Sequence, residues 1–275
     1  MAEKKSKKKE AEEKKEPARI PGKLHVYDLK GEIAGETDLP PPFSAEFRPD
    51  IIRRAVTAIE ANARQPFAPK PTAGMRHSVS TWGKGRGVAR VQRLMGSSRA
   101  AQSPNNVGGR RAHPPKVEKE LGKKINRKEL LLGKLSALRA TSEPGLVRAR
   151  GHRFDEKLTL PVVVKDEFED LKTTKEAIEV LESIGVYEDV VRADNGKKVR
   201  AGRGKMRGRR YRVPRSLLVV LSKDCPAWRS VRNLPGVDVA TPATLNASLL
   251  APGGDPGRLM VVTEGALQTI GGWKR

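Results

Sequence analysis

Residues Gly83-Lys84-Gly85-Arg86-Gly87-Val88-Ala89-Arg90 alternate small residues with cations and directly follow Trp82. Glycine has no Cβ, so its backbone can approach phosphates or bases closely, while Lys84, Arg86 and Arg90 offer charge-assisted hydrogen bonds to phosphate oxygens. The Trp82 indole can stack on an unpaired base. A second run, Gly202-Arg203-Gly204-Lys205-Met206-Arg207-Gly208-Arg209-Arg210-Tyr211-Arg212, again combines glycine with cations and adds an aromatic ring. So dense a cluster, opposed only by Asp194 nearby, repels itself strongly enough to call for an anionic partner.

Two nucleotide motifs resemble the first run and fail on context. A dinucleotide fingerprint needs an apolar strand before it, a helix after it and an acidic residue about 20 positions on. A phosphate-binding P-loop needs Gly-Lys-Ser or Gly-Lys-Thr after a strand, and Gly83-Lys84-Gly85 has neither hydroxyl nor strand. Hydrolytic chemistry is also poorly served: His77 lies near Ser78 and Ser80, but no carboxylate is close in sequence to orient the imidazole. His77 is read as a polar or stacking RNA contact, or as having no role. Asp166, Glu167, Glu169 and Asp170 cluster, yet neighbours on a turn point in different directions, and a nearby helix N-terminus accounts for them without metal. Cys225, the sole cysteine, excludes a disulfide framework and paired-cysteine metal or redox centres, and reads as a structural thiol in a reducing compartment. Neither a metal nor a cofactor is expected.

The elements that must carry these runs follow from the hydrophobic pattern. Leu24 to Leu29 reads as a first strand, followed by Gly31 and a polar turn. A helix is expected from about Pro49 to Arg64, with Ile52, Ala55, Val56, Ile59 and Ala63 on one face. Asn126 and Glu129 suit a capping box ahead of a helix holding Leu130, Leu131, Leu135 and Leu138. Leu160 to Val164 reads as a strand, and Thr173 with Glu176 caps a helix that Gly185 ends. Further strands are expected at Leu217 to Leu221, Val237 to Ala240 and Leu259 to Val262, the last leading into a helix from about Glu264. Apolar runs separated by helices mark a parallel sheet covered on both sides. The expected fold is a three-layer α/β body with a mostly parallel sheet, interrupted by a long basic loop.

Between residues 65 and 116 lie Pro66, Pro69, Pro71, Pro104, Pro114 and Pro115 and seven glycines, which leave no room for a helix of ordinary length. Structureless connections beyond about 15 residues are uncommon and usually functional. Two arms of about 25 residues would reach at most roughly 80 Å, ordering only against a polyanion.

The charge agrees with this division. The 275 residues carry 55 Lys plus Arg against 32 Asp plus Glu, a formal net charge of +23. Residues 61 to 117 hold eleven cations and no acid, and residues 191 to 215 hold eleven opposed by Asp194. Residues 151 to 190 run to −6, so the body is nearly neutral and bears two basic arms. Residues 1–20 form a Lys/Glu tail, expected to be disordered. The globular domain is expected over 21–65 and 116–275, with 66–115 as the loop. No run approaches about 18 apolar residues, and charges stand where a signal peptide would be apolar, so a cytoplasmic protein is expected.

A resemblance now becomes specific. Gly74-Met75-Arg76-His77, Trp82 through Gly87, Gly109-Arg110-Arg111-Ala112-His113-Pro114-Pro115-Lys116 and Arg150-Gly151-His152-Arg153-Phe154 resemble the universal large-subunit ribosomal protein L four family in its archaeal and eukaryotic form. Val162-Val163-Val164, Phe168-Glu169-Asp170-Leu171, Gly208 to Arg212, Asn233 to Asp238 and Leu250 to Gly254 continue the match in order, over about residues 21 to 272. The resemblance implies a non-enzymatic, ribosome-bound protein that holds large-subunit rRNA during assembly. Its loop would line the nascent-peptide exit tunnel beside ribosomal protein L twenty-two. The tunnel-lining tip would be Gly83, Lys84, Gly85, Arg86, Gly87 and Val88, meeting the nascent polypeptide, with Arg90 beside it. Arg76, His77, Trp82, Arg93, Arg99, Arg110, Arg111, His113 and Lys116 would line the arms against RNA. Arg150 and Arg153, with Arg203, Lys205, Arg207, Arg209, Arg210, Tyr211 and Arg212, would grip rRNA from the body. The absence of the long C-terminal extension of eukaryotic members points to an archaeal source. The competing readings are an RNA-modifying enzyme on a doubly wound fold and an architectural binder of duplex DNA.

Overall fold

Valine-rich runs make the centre of the fold because three-residue strands can be wholly apolar only where both faces are covered. The structure, a computed structural model, describes residues 22–273, so the tail expected at 1–20 lies outside the described residues. These residues form two units, 22–59 with 124–273, and 60–123.

In chain order the strands are β1 (Lys23–Tyr27), β2 (Ile33–Asp38), β3 (Val79–Ser80), β4 (Arg93–Leu94), β5 (Val162–Val164), β6 (Lys198–Val199), β7 (Tyr211–Arg212), β8 (Leu218–Val220), β9 (Asp238–Ala240) and β10 (Met260–Thr263). The helices are α1 (Pro49–Asn62), α2 (Arg127–Thr141), α3 (Pro144–Ala149), α4 (Thr174–Ile184), α5 (Tyr187–Asn195), α6 (Ala227–Arg232), α7 (Ala247–Leu250) and α8 (Glu264–Gly271). The main sheet runs β2-β1-β5-β10-β8-β9. All its neighbours are parallel except β1 and β2, whose pairing is antiparallel.

Because side chains alternate across a strand, Val162 and Val164 face one layer and Val163 the other. The first layer packs them against Ala177, Leu181 and Ile184 of α4, Val190 of α5 and Val231 of α6. The second packs Val163, Val220 and Val262 against Ile52 and Val56 of α1, Leu138 of α2 and Leu267 of α8. The body is therefore the expected three-layer α/β structure.

Local chemistry sets the element ends. Thr173 and Glu176 form a reciprocal capping box at α4, and Gly185 closes that helix at φ 88°. The box expected from Asn126 and Glu129 is corrected: Asn126 caps α2 by accepting from the Lys128 amide at 3.1 Å, while Glu129 is drawn 3.4 Å from Arg54 instead. The polar turn expected after Gly31 is corrected too, since β2 pairs there along an exposed edge.

Two buried polar centres hold the body's ends. Glu169, in a 3-10 turn over Asp166–Asp170, accepts from the Ser222 amide at 2.6 Å, the Ser222 hydroxyl at 2.7 Å and the Thr263 hydroxyl at 2.8 Å. Asp166 accepts from the Gly265 amide in the first turn of α8 at 2.9 Å, so this acidic cluster serves helix and strand termini. At the other end of the strands Arg258 is fully buried. Its Nε donates to the Ser216 carbonyl at 3.0 Å, Nη2 to Leu217 and Gly236 at 3.0 and 3.3 Å, and Nη1 to Leu249 at 2.9 Å, with Asp238 2.7 Å away. Three of these carbonyls belong to residues entering β8 and β9 and the fourth to α7, so one guanidinium ties the starts of β10, β8 and β9 to that helix. Burial pulls its pKa down to about 10 although Asp238 favours the charged form.

Candidate nucleic-acid interface

Proline and glycine deny residues 63–126 a helix, and in their place the 60–123 unit builds a small antiparallel scaffold from backbone bonds. Val79 pairs with Leu94 and Ser80 with Arg93. The chain then doubles back, with Leu94 N donating to Arg99 O at 3.0 Å and Ala101 N to Gln92 O at 2.9 Å. The base of the unit is closed where the Lys123 amide donates to Asn62 Oδ1 at 2.9 Å.

Two glycines permit close backbone approach, Gly74 between the arms and Gly109 within one of them. A Cβ on Gly74, whose φ is +76°, would sit 2.7 Å from Arg110 Cα, and one on Gly109 would run into the Ser103 carbonyl oxygen. Backbone atoms cannot yield as a side-chain tip can, so a methyl group at Gly74 pushes the arms apart and one at Gly109 opens the turn within its own arm. Gly74→Ala is expected to leave thermal melting of the body within about 2 °C of the parent, since distant sites act independently, while opening the arms. Limited proteolysis between residues 96 and 112 should become several-fold faster; an unchanged digestion pattern would show that this contact does not hold them.

The structure distributes the expected contact residues into two groups. Arg76, His77, Trp82, Lys84, Arg86, Arg90, Arg99, Arg111, His113 and Lys116 are exposed, as are Arg153, Arg203, Lys205, Arg207, Arg209, Arg210, Tyr211 and Arg212. The tip residues Gly83 to Val88 are exposed throughout, and an added Cβ at Gly83, Gly85 or Gly87 meets nothing within 4 Å. Arg93, Arg110 and Arg150 are half-buried. Arg93 and Arg150 have structural tasks that the sequence did not disclose. Arg93 donates to the Ser98 and Ala89 carbonyls and lies 5.1 Å from the Trp82 ring centroid, fixing that indole at the entry to the tip. Arg150 donates to the Asp255 and Pro252 carbonyls.

The second basic run is a hairpin-like element, with Lys198 opposite Arg212 and Val199 opposite Tyr211. Arg200 secures it through its amide to Arg210 O and its Nε to Tyr211 O, at 2.9 and 3.1 Å. Lys197 and Arg210 lie 5.0 and 5.6 Å from the Tyr211 ring centroid, so the exposed ring is flanked by cations. The Gly151–Phe154 segment is fastened by a buried network. His152 Nδ1 lies 2.9 Å from Asp189, which also accepts from the Arg153 amide at 3.0 Å and Arg192 Nε at 2.8 Å. Burial holds the imidazole below its ordinary pKa against the pull of Asp189.

The electrostatics of the two cationic segments differ from those of the body. Body arginines such as Arg54, Arg148, Arg192, Arg215 and Arg258 each face a carboxylate within 4 Å. Among the described residues, no lysine or arginine of 61–117 or 197–212 forms such a pair, and 61–117 contains no carboxylate to offer one. Sequence reasoning also passed over Phe67, which is 60% exposed in the acid-free segment. Its signal was a lone aromatic among prolines and cations.

Fold and surface together define an α/β protein whose unneutralised cationic segments, interleaved with aromatic rings, suit a nucleic acid. Residues 37–273 match the model of the Ribosomal protein L4/L1 family. The large ribosomal subunit protein uL4 of Methanospirillum hungatei is 51% identical over 250 residues, covering 91% of this chain and 99% of that protein. The uL4 proteins of Archaeoglobus fulgidus and Methanocaldococcus jannaschii are 49% identical over 251 residues and 50% over 248, covering 91% and 90% of this chain and 99% and 98% of theirs. The chain belongs to the ribosomal protein L4/L1 family.

Proposed function

We propose that this protein is a structural component of the large ribosomal subunit, bound to the ribosome in the cytoplasm, and that it holds rRNA through its two cationic segments. The observation that carries the reading is a run of 57 residues, 61 to 117, with eleven cations, no acid and no internal ion pair among them. Each phosphate contact made by such a surface releases counterions, a gain absent in the free protein, so the segment has its electrostatic partner only when RNA is present. Family membership makes the role structural rather than catalytic, and the glycine run at 83–87 leads into no helix, as a dinucleotide site would require.

The finer reading is that 66–115 forms the loop that enters rRNA, that Gly83 to Val88 line the nascent-peptide exit tunnel, and that ribosomal protein L twenty-two stands beside them. The exposure of every tip residue supports it, as does the open space around Gly83, Gly85 and Gly87, which leaves the backbone free to lie close against RNA. Deleting Thr72 to Ala112 is expected to leave the body folded, with melting within about 5 °C of the parent, because the three-layer core is built from residues outside it. The shortened chain should fail to yield large subunits of normal sedimentation. Loss of the body's cooperative melting would contradict the division into body and loop. For the tunnel, a photoreactive group placed in a stalled nascent chain should cross-link to residues 83–88; cross-links confined to other proteins would count against it.

A further inference from the structure

Beside the closing arm of the 60–123 unit lies a cleft of about 950 Å³, lined by Phe67, Arg111, His113, Pro114, Pro115 and Glu118 among others. Its size falls in the range of about 300–1,000 Å³ typical of ligand pockets. We propose that this cleft takes one unpaired guanine nucleotide of the bound RNA. The inference rests on the rRNA-binding reading above and goes beyond it by assigning a base and the residues that select it.

Three features of the cleft fit three parts of a nucleotide. Phe67 is 60% exposed and offers a flat π-face of the kind on which unstacked bases sit. Pro114 and Pro115 form a rigid apolar wall that has no amide donors to satisfy. Arg111, Lys116 and Lys119 are exposed around it, placing positive charge where a phosphate would lie, with His113 beside them as a hydrogen-bonding ring.

Glu118 is the feature that decides between bases. It is the first carboxylate after 57 acid-free residues, and it sits within the turn closed by the Lys119 amide on the Lys116 carbonyl at 3.3 Å. A carboxylate repels phosphate, so it weakens any purely electrostatic grip. It accepts hydrogen bonds, however, and among the four bases guanine presents two adjacent donors, N1–H and N2–H, on one edge. A carboxylate facing that edge accepts both, whereas the N1 lone pair of adenine would be set against it. Phe67 thus stacks the base, Glu118 reads its donor edge, and the surrounding cations hold its phosphate.

The test uses the full chain and two labelled pentaribonucleotides, UUGUU and UUAUU, followed by fluorescence anisotropy at fixed salt. The parent protein should bind UUGUU about tenfold more tightly, the scale of one well-made two-bond contact to a base. Phe67→Ala should weaken UUGUU binding about tenfold, while Phe67→Tyr, which keeps the ring, stays within about twofold. Glu118→Gln should erase the preference between the two RNAs. Equal affinities in the parent protein, or an unaltered affinity in Phe67→Ala, would overturn the assignment and leave the rRNA reading standing. If neither oligonucleotide loses affinity as salt rises, both fail together.

Discussion

Replacing Arg258 with alanine is expected to cost the body about 3–5 kcal/mol, the scale for removing one partner of a buried, hydrogen-bonded ion pair. The guanidinium serves four carbonyls and one carboxylate from a position with no solvent exposure. Leu217 O and Gly236 O keep second donors in the Asp238 and Ser216 amides, and Asp238 keeps Arg215. The Ser216 and Leu249 carbonyls are left to the core, together with the volume of the missing side chain. A loss of this size lowers the melting temperature by about 10 °C in a domain of this length. Arg258→Lys should recover only a minor part of it, because a single ammonium cannot span acceptors arranged around a planar fork. A thermal melt of Arg258→Ala within about 2 °C of the parent would show that the strand ends do not depend on this residue.

The second large effect concerns binding rather than stability. Substituting Arg203, Arg207, Arg209 and Arg210 together by alanine should weaken binding to a large-subunit rRNA fragment by at least about a hundredfold. It should also reduce the slope of log affinity against log salt by about three units, close to one for each phosphate that the variant no longer neutralises. All four side chains are exposed and none pairs with a carboxylate among the described residues, so the fold should be unaffected. Removing Arg48 and Arg54 provides the contrast, since both are already matched by Asp50 and Glu129. That double variant should shift the slope by less than about one unit. Equal effects from the two sets of substitutions would mean that unpaired charge is not what distinguishes the interface.

The body was legible where burial writes itself into composition. β5, β8 and β10 are apolar on both faces because helices cover both, so Val162–Val164 and Leu218–Val220 stand out as runs. β2 escaped because an antiparallel edge strand with both faces wet has no hydrophobic constraint, and Ile33–Asp38 reads as a polar turn. α5 escaped for a related reason: only Asp189, Val190 and Ala193 of its nine residues are buried, and one of these is a charge.

The interface was legible in charge and much less so in geometry. The exposure of the glycine-spaced cations follows from their own repulsion, and the sequence states it directly. Which cations are already spent does not follow, because Arg93, Arg150 and Arg258 carry no local mark that separates them from Arg90, Arg153 or Arg203. Their partners are carbonyls brought near by the fold, such as Pro252 for Arg150 and Ser216 for Arg258. The bond between His152 and Asp189, 37 positions apart, is likewise a product of α5 packing and has no signature in either neighbourhood.

The central claim is that unneutralised cationic backbone finds its counter-charge in RNA. It is tested most directly by titrating the intact chain with a large-subunit rRNA fragment across a series of salt concentrations. Log affinity should fall linearly with log salt at a slope of at least about five, as several simultaneous phosphate contacts require. An affinity that hardly changes from low to high salt would contradict the account.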